Sequence, residues 1–326
     1  MSFYKEKLKD ALANAGIEFE EKGKTSFSFK RNEDEKITET TSKEEKYERT
    51  LKCIKRHFKL DNDTDFDEYF RQATSGSGNE AEKIDAIWSS SLLSLLFFYT
   101  AIKNGGVKFD KIHYTKCFFE FMNPVLCNHP YYNKPSNIDC VLMSEDEKHL
   151  LFIESKFIEY VRDVSKKCEL SDKYARDGEP TAKLYECFKE KLESKESHYY
   201  YGVKQMITHY SGLYNFLNSD CPPHKKMMDD CEKRKVIDAY TRGANVAFIE
   251  IVYDISEINE EYQEYLNDYK KIQNELHNQM DKQLLNSKVL NNGRFKIYDL
   301  ITYQRFLADT NAKISDMVKR YYSFNE

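Results

Sequence analysis

Two short apolar runs joined by a polar turn constrain this chain more than any other feature. NIDCVLMS covers residues 137–144, HLLFIESKF covers 149–157, and the turn SEDEK joins them. Runs of this length flanking a short polar turn read as an antiparallel hairpin. Each run carries one carboxylate where a core strand would carry Val or Ile: Asp139 in the first, and Glu154 in the second with Lys156 two residues on. Side chains alternate along a strand, so Glu154 and Lys156 share a face while Ser155 takes the other. Pairing around the turn brings Asp139 within reach of Glu154. Burying such charges uncompensated costs on the order of several kcal/mol each, so something must offset it.

The surroundings of the hairpin set the fold class. A third apolar run, KCFFEFMNPV (116–125), precedes it and ends at Pro124. Before that, residues 73–106 read as a loop, a helix and a stop. Ser77 or Asn79 is the expected cap, acidic residues fill the first turn, and Gly105 and Gly106 end the helix. Residues 160–198 are charged and weakly periodic, which suggests an inserted helical excursion. Residues 199–217 then form a helix with one apolar stripe through Val203, Met206, Ile207, Tyr210, Leu213, Tyr214 and Leu217. NVAFIEIVYDI (245–255) is a further strand, residues 258–285 a long charged helix, and 295–308 a strand or turn passing into helix. Upstream, residues 2–15 read as a helix stopped by Gly16. Residues 20–48 read as a solvated charged segment, and 47–58 as a short helix ending in the basic run KCIKRHFK (52–59). No internal repeat is found. The order helix, three strands, helix, strand predicts an α/β fold with a central mixed sheet flanked by helices. Residues 1–75 are expected to form an N-terminal helical and charged accessory segment, and 76–326 the main domain with a helical C-terminal extension.

Bulk properties exclude some functions. The formal net charge of the 326 residues is −5, so the molecule as a whole is no electrostatic magnet for nucleic acid, although a local basic groove can act within an acidic chain. The 8 cysteines include no CxxC pair and no zinc-finger spacing, and read as reduced thiols. The N-terminus lacks a signal-peptide core, and the most apolar segment, Leu92 to Ala101, is too short to span a bilayer. A cytoplasmic protein with no membrane partner is expected. The absence of a GxxxxGK[ST] stretch argues against an ATP-driven motor.

The interrupted strands suggest a chemistry. Asp139, Glu154 and the Ser155 backbone carbonyl offer oxygen ligands to a hard divalent ion such as Mg²⁺, for which Mn²⁺ can substitute. A lysine beside such an ion, here Lys156, can orient or deprotonate an attacking water. Together they form a hydrolytic centre suited to a phosphodiester.

Asp139, 14 intervening residues, then Glu154-Ser155-Lys156 closing a hydrophobic strand resembles the core of the PD-(D/E)XK nuclease superfamily. The resemblance spans roughly Gly76 to Ile255. It implies a restriction-endonuclease-like αβββαβ core and a Mg²⁺-dependent nuclease acting on nucleic acid, with DNA as the expected substrate and a homodimer where both strands are cut. It also implies that Glu80, or its neighbour Glu82, adds to the metal site from the preceding helix. Gln205 in GVKQMITHY would orient the lysine or a phosphate, with His209 and Lys204 as polar neighbours. The family's proline is absent, since Ile138 precedes Asp139 and the nearest proline is Pro135. The cysteines lack the clustering of the iron–sulfur members. Other (D/E)xK matches, such as Glu20 to Lys22 and Asp146 to Lys148, lie in polar runs, turns or charged helices. Two alternatives stand beside the enzyme. One is a non-catalytic nucleic-acid-binding or scaffold protein that retains the nuclease fold. The other is a structural ion pair, in which case Asp139 and Glu154 would not converge.

Overall fold

The computed structural model describes residues 9–10, 12–14, 16–22, 26–75, 84–127, 135–157, 184, 186, 189, 200–218, 221–257, 260–285 and 293–324. Phe19–Lys22 (β1) and Ser26–Phe29 (β2) pair as an antiparallel hairpin. This corrects the expectation of a solvated segment over 20–48. Phe27 and Phe29, at alternate positions of β2, are fully buried and anchor an otherwise charged stretch. The next helix, Lys43–Phe58 (α1), starts earlier than expected because Ser42 and Glu45 form a reciprocal capping box. The basic run at its end is occupied locally: Lys52 pairs with Asp34, Lys55 with Asp67 at 2.5 Å, and Arg56 with Glu35 at 2.6 Å. A second helix, Thr64–Ala73 (α2), was not foreseen.

Ser90–Lys103 (α3) is the helix that precedes the strands. Its cap is Ser89, which accepts from the Leu92 N–H at 3.2 Å, and its first turn holds no acid. The expected cap and acidic turn at 76–83 lie outside the described residues. Every residue from Leu92 to Ala101 is buried, as befits a helix enclosed on all sides.

The strands are Val107–Phe109 (β3), Ile112–Pro124 (β4), Pro135–Ser144 (β5), His149–Lys156 (β6), Asn245–Val252 (β7), Phe295–Ile297 (β8) and Ile301–Thr302 (β9). They make one 7-stranded sheet in the order β3-β4-β5-β6-β7-β8, with β9 also on β7. Strands β3 to β6 form an antiparallel meander, whereas β7 joins β6 in parallel and carries β8 and β9 in parallel. The chain is therefore α/β with a mixed central sheet flanked by helices, as the sequence predicts.

Two cores lie on opposite faces of this sheet. On one, Cys140, Ile153, Ile249 and Ile251 meet α3, β2, α1, α2 and the C-terminal helices Tyr303–Thr310 (α8, numbered after those below) and Asp316–Tyr321 (α9). On the other, Val141, Phe152 and Phe248 meet Tyr200–Leu217 (α4), Lys225–Asp229 (α5), Cys231–Thr241 (α6) and Gln263–Leu285 (α7). The apolar stripe read from the sequence is the face α4 turns to the sheet: Met206, Ile207, Tyr210, Leu213 and Leu217 are buried there. Gly212 permits the closest approach, because a Cβ at that position would stand 2.9 Å from the Asn123 Cβ and 3.1 Å from the Ser136 Cβ. Asn215 fastens the same helix by donating to the Pro124 and Val125 carbonyls, both at 2.9 Å.

Strand alternation shifts between Tyr114 and Lys116 on β4, and it shifts again at the level of the site. On β4, Phe119 faces the first core but Phe121 faces the second; on β5, Cys140 faces the first and Ile138 the second. The residue between on β4, Glu120, has a left-handed φ of 52°, and the residue between on β5 is Asp139. No described helix is long and apolar enough to cross a membrane.

Candidate active site

Glu154 is the centre of the arrangement. Its even-numbered position on β6 points it, like Phe152, toward α4, and it is 1% exposed. One oxygen, Oε1, gathers three groups. It accepts from the Lys156 ammonium on the same strand face, from Gln205 Nε2 at 2.8 Å, and lies 3.2 Å from His209 Nε2. Gln205 and His209 are one helical turn apart on α4, so both reach the same carboxylate. The other ring nitrogen of His209, Nδ1, shares a hydrogen bond with the Ser136 hydroxyl of β5. Burial pushes the Glu154 carboxyl up, but the charges of His209 and Lys156 outweigh burial and hold it down at about 2. Its second oxygen, Oε2, is buried without a hydrogen-bond partner.

Asp139 sits at the break in alternation, and its carboxylate lies toward the β6 edge. Its Oδ2 accepts from the Ser155 backbone N–H at 2.7 Å, taking the place of a strand carbonyl. The β5–β6 ladder ends with Cys140 opposite Ile153, and Asp139 and Glu154 are the next residues along these neighbouring strands. A residue's N–H and C=O leave a strand on the same edge, so the Ser155 carbonyl also faces the Asp139 strand. On the opposite face of the sheet, the Ser155 hydroxyl bonds Tyr303 Oη at 2.7 Å and donates to the Ser90 carbonyl at 3.2 Å, which fixes this end of β6 from behind. Asp139 and Gln205 are half-buried, whereas Glu154, Lys156 and His209 are buried, so the cluster reaches solvent on the Asp139 and Gln205 side.

The structure thus brings Asp139, Glu154, Ser155, Lys156 and Gln205 together. It adds His209, which the sequence offers only as a polar neighbour. The available signal was its spacing of four from Gln205. Glu80 and Glu82 lie outside the described residues, as does the side chain of Lys204. Among the described residues, no group of three or more His, Cys, Asp or Glu side chains is gathered to hold a metal. The donors here are two carboxylates and a backbone carbonyl, the oxygen set a hard divalent ion takes, and the orphaned Glu154 Oε2 is an available ligand atom among them. These residues fit such an ion.

Comparison of the chain with protein-family models, with curated proteins and with solved structures finds no match.

Proposed function

We propose that the protein is a metal-dependent phosphodiesterase that hydrolyses nucleic acid, with DNA as its substrate class. The observation that carries this reading is the single buried carboxylate of Glu154, held between Lys156, Gln205 and His209, with Asp139 on the neighbouring strand. The element order α3, β4, β5, β6, α4, β7 supports a restriction-endonuclease-like core, since it gives a helix, an antiparallel three-stranded meander, a helix and a parallel strand. Asp139, Glu154 and the Ser155 carbonyl would hold Mg²⁺, or Mn²⁺ in its place, and Glu80 remains a candidate fourth ligand. When bound, the ion would supply Lewis-acid stabilisation of charge on the phosphate.

The chain's own groups have separate parts. Lys156 presents its Nζ beside Glu154, where as an ammonium it can orient an attacking water, and as a neutral amine, the form a neighbouring cation would favour, it could accept that water's proton. Gln205 and His209 are positioning residues: each bonds or pairs with Oε1 and so leaves Oε2 as the free oxygen. Ser136 in turn fixes the His209 ring. Cutting both strands of a duplex would require two copies of the chain.

The test is a cleavage assay on supercoiled plasmid, linear duplex, single-stranded DNA and RNA, with Mg²⁺, Mn²⁺ or EDTA. Lys156→Ala should lower the rate about 100-fold or more while the protein remains folded by circular dichroism. Full activity in that variant removes the assignment. A second reading is favoured by the near-complete burial of Glu154, Lys156 and His209, which a structural ion-pair cluster would share. On it the protein binds nucleic acid without turnover, and wild type would shift DNA in a gel while cutting none.

A further inference from the structure

One strand along from Glu154, the chain builds a comparable constellation that the nuclease reading does not use. Phe152-Ile153-Glu154 on β6 lies in parallel register with Phe248-Ile249-Glu250 on β7, so Glu154 and Glu250 are direct neighbours on one face. Each strand is served by a helix carrying Gln and His four residues apart: Gln205 and His209 on α4, Gln273 and His277 on α7.

The second constellation differs in the way that matters for charge. Where Lys156 stands beside Glu154, the register partner on β7 is Val252. Glu250 is 0% exposed, and among the described residues the one basic side chain paired with it is His277. A carboxylate so enclosed needs a compensating positive charge. His277 is arranged as a ligand more than as a proton donor. Its Nδ1 lies 3.1 Å from the Tyr298 carbonyl, which can only accept, so Nδ1 carries the proton and Nε2 is aimed at Glu250. Donation of the far ring N–H to a backbone carbonyl is the usual support of a metal-bound histidine. The His277 Nε2 to Glu250 Oε2 separation is 3.6 Å. A charge-assisted hydrogen bond is shorter, about 2.8 Å. Two ligands on one tetrahedral ion stand about 3.3 Å apart, given bonds of about 2.0 Å each.

Unpartnered donors and acceptors occur on the buried residues of these same elements. Glu250 Oε2, His277 Nε2, both amide atoms of Gln273 and the Tyr210 hydroxyl are buried without hydrogen-bond partners. Gln273 and Tyr210 are themselves 0% exposed. Gln273 lies on α7 between Tyr269 and His277, at spacings of four, and Tyr269 donates to Glu250 Oε1 at 2.6 Å. That bond leaves Oε2 as the free oxygen.

We propose that Glu250, His277 and Gln273 form a second, enclosed cation site between β7 and α7, distinct from the Asp139/Glu154 centre. One imidazole, one carboxylate and an amide oxygen suit a borderline divalent ion such as Zn²⁺ or Co²⁺ better than Mg²⁺. The ion supplies the positive charge that lysine supplies to Glu154, and it ties α7 to the sheet. The site does not depend on the nuclease reading.

The test uses the full chain, stripped with chelator and titrated with Co²⁺ and Zn²⁺. Wild type should take up one equivalent with visible absorption from imidazole-bound Co²⁺, besides any held at the Asp139/Glu154 centre, and Asp139→Asn should keep that equivalent. Glu250→Gln and His277→Gln should each weaken this binding at least about tenfold. Equal affinity in those variants overturns the proposal. So does failure of wild type to bind, with nuclear magnetic resonance showing a His277 imidazolium in a simple ion pair. Should the variants fail to fold, X-ray absorption of the wild-type Co²⁺ form decides, because a spectrum without an imidazole ligand also overturns it. Since DNA cleavage is not the readout, failure here leaves the nuclease assignment to its own assay.

Discussion

At the scale of single residues, the chain places its charges where water cannot screen them, and each such placement is a statement about pH. Glu154 falls from the usual value of 4.5 to about 2 in the folded protein. A depressed carboxylate contributes stability that is complete above about pH 4.5 and is lost as pH falls toward 2. The size is on the order of 3 kcal/mol, at roughly 1.4 kcal/mol per unit. Urea unfolding across this window should show a steeper pH slope in wild type than in Glu154→Gln, because the other depressed carboxylates titrate in both. His209→Gln removes one of the charges that hold Glu154 down, so its slope should be smaller and centred at higher pH. Lys233 gives the same sign of slope in a different window. Burial lowers its amine from 10.5 to about 8, while the ammonium donates to the Glu120 carbonyl at 3.0 Å and the Ser75 hydroxyl at 3.1 Å. Here the unfolded chain holds the proton more tightly, so this group makes stability rise with pH between about 8 and 10.5. Lys233→Met should lack that rise in the same assay. Of these residues, Asp139, Glu154 and Lys156 were legible because a charge on an apolar strand stands out. Glu120 and Lys233 were not, since a left-handed glutamate and a buried lysine look like any surface acid and base in a sequence with 105 charged residues, 50 basic and 55 acidic.

At the scale of elements, periodicity carried the reading and composition misled it. The three core strands and α4 fall within a few residues of their expected bounds, because burial on both faces leaves a continuous apolar run and one-sided burial of a helix leaves a stripe. The β1–β2 hairpin was obscured because SFSF offers only two phenylalanines amid charge, although their spacing of two is the strand signal. The site depends on how closely α4 approaches β4 and β5. Gly212→Ala would put a methyl at 2.9 Å from the Asn123 Cβ, so the helix must move outward. Overpacking of this kind costs about 1–3 kcal/mol. We expect lower thermal stability and, because Gln205 and His209 ride on the same helix, a loss of the proposed cleavage activity out of proportion to it. Leu213→Met, a volume-conserving change next door, is the control and should alter neither greatly.

At the scale of the whole molecule, an aromatic seam joins the N-terminal hairpin to residues near 321. Tyr321 stacks on Phe29 with centroids 5.2 Å apart, meets Phe58 edge-on at 5.0 Å, and donates to the Ile87 carbonyl at 3.0 Å. Phe324 meets Phe97 at 5.7 Å, and the Tyr253 hydroxyl donates to the Tyr322 carbonyl. Tyr321→Ala should therefore destabilise by on the order of 3 kcal/mol, and hydrogen exchange should rise in β2 and α1 as well as in α9. An increase confined to α9 would mean that the hairpin is held by other contacts. None of this seam was visible in the sequence, which offers aromatic residues but no record of which ones meet.

The pairing of β6 with β7 has a consequence for how the chain reaches this structure. Strands β3 to β6 follow one another and can zip as they are synthesised, but the outer edge of β6 waits for residues 245–252, separated from it by residues 157–244. Until then Leu150, Leu151, Phe152 and Ile153 form an unpaired apolar edge, the kind that templates self-association. Glu154 and Lys156 flank that edge as charges, and so act as gatekeepers before they act as anything else. Substituting Glu154 with leucine should therefore increase light scattering during dilution refolding well beyond what Glu154→Gln does, as exposed strands from different molecules find one another before β7 arrives.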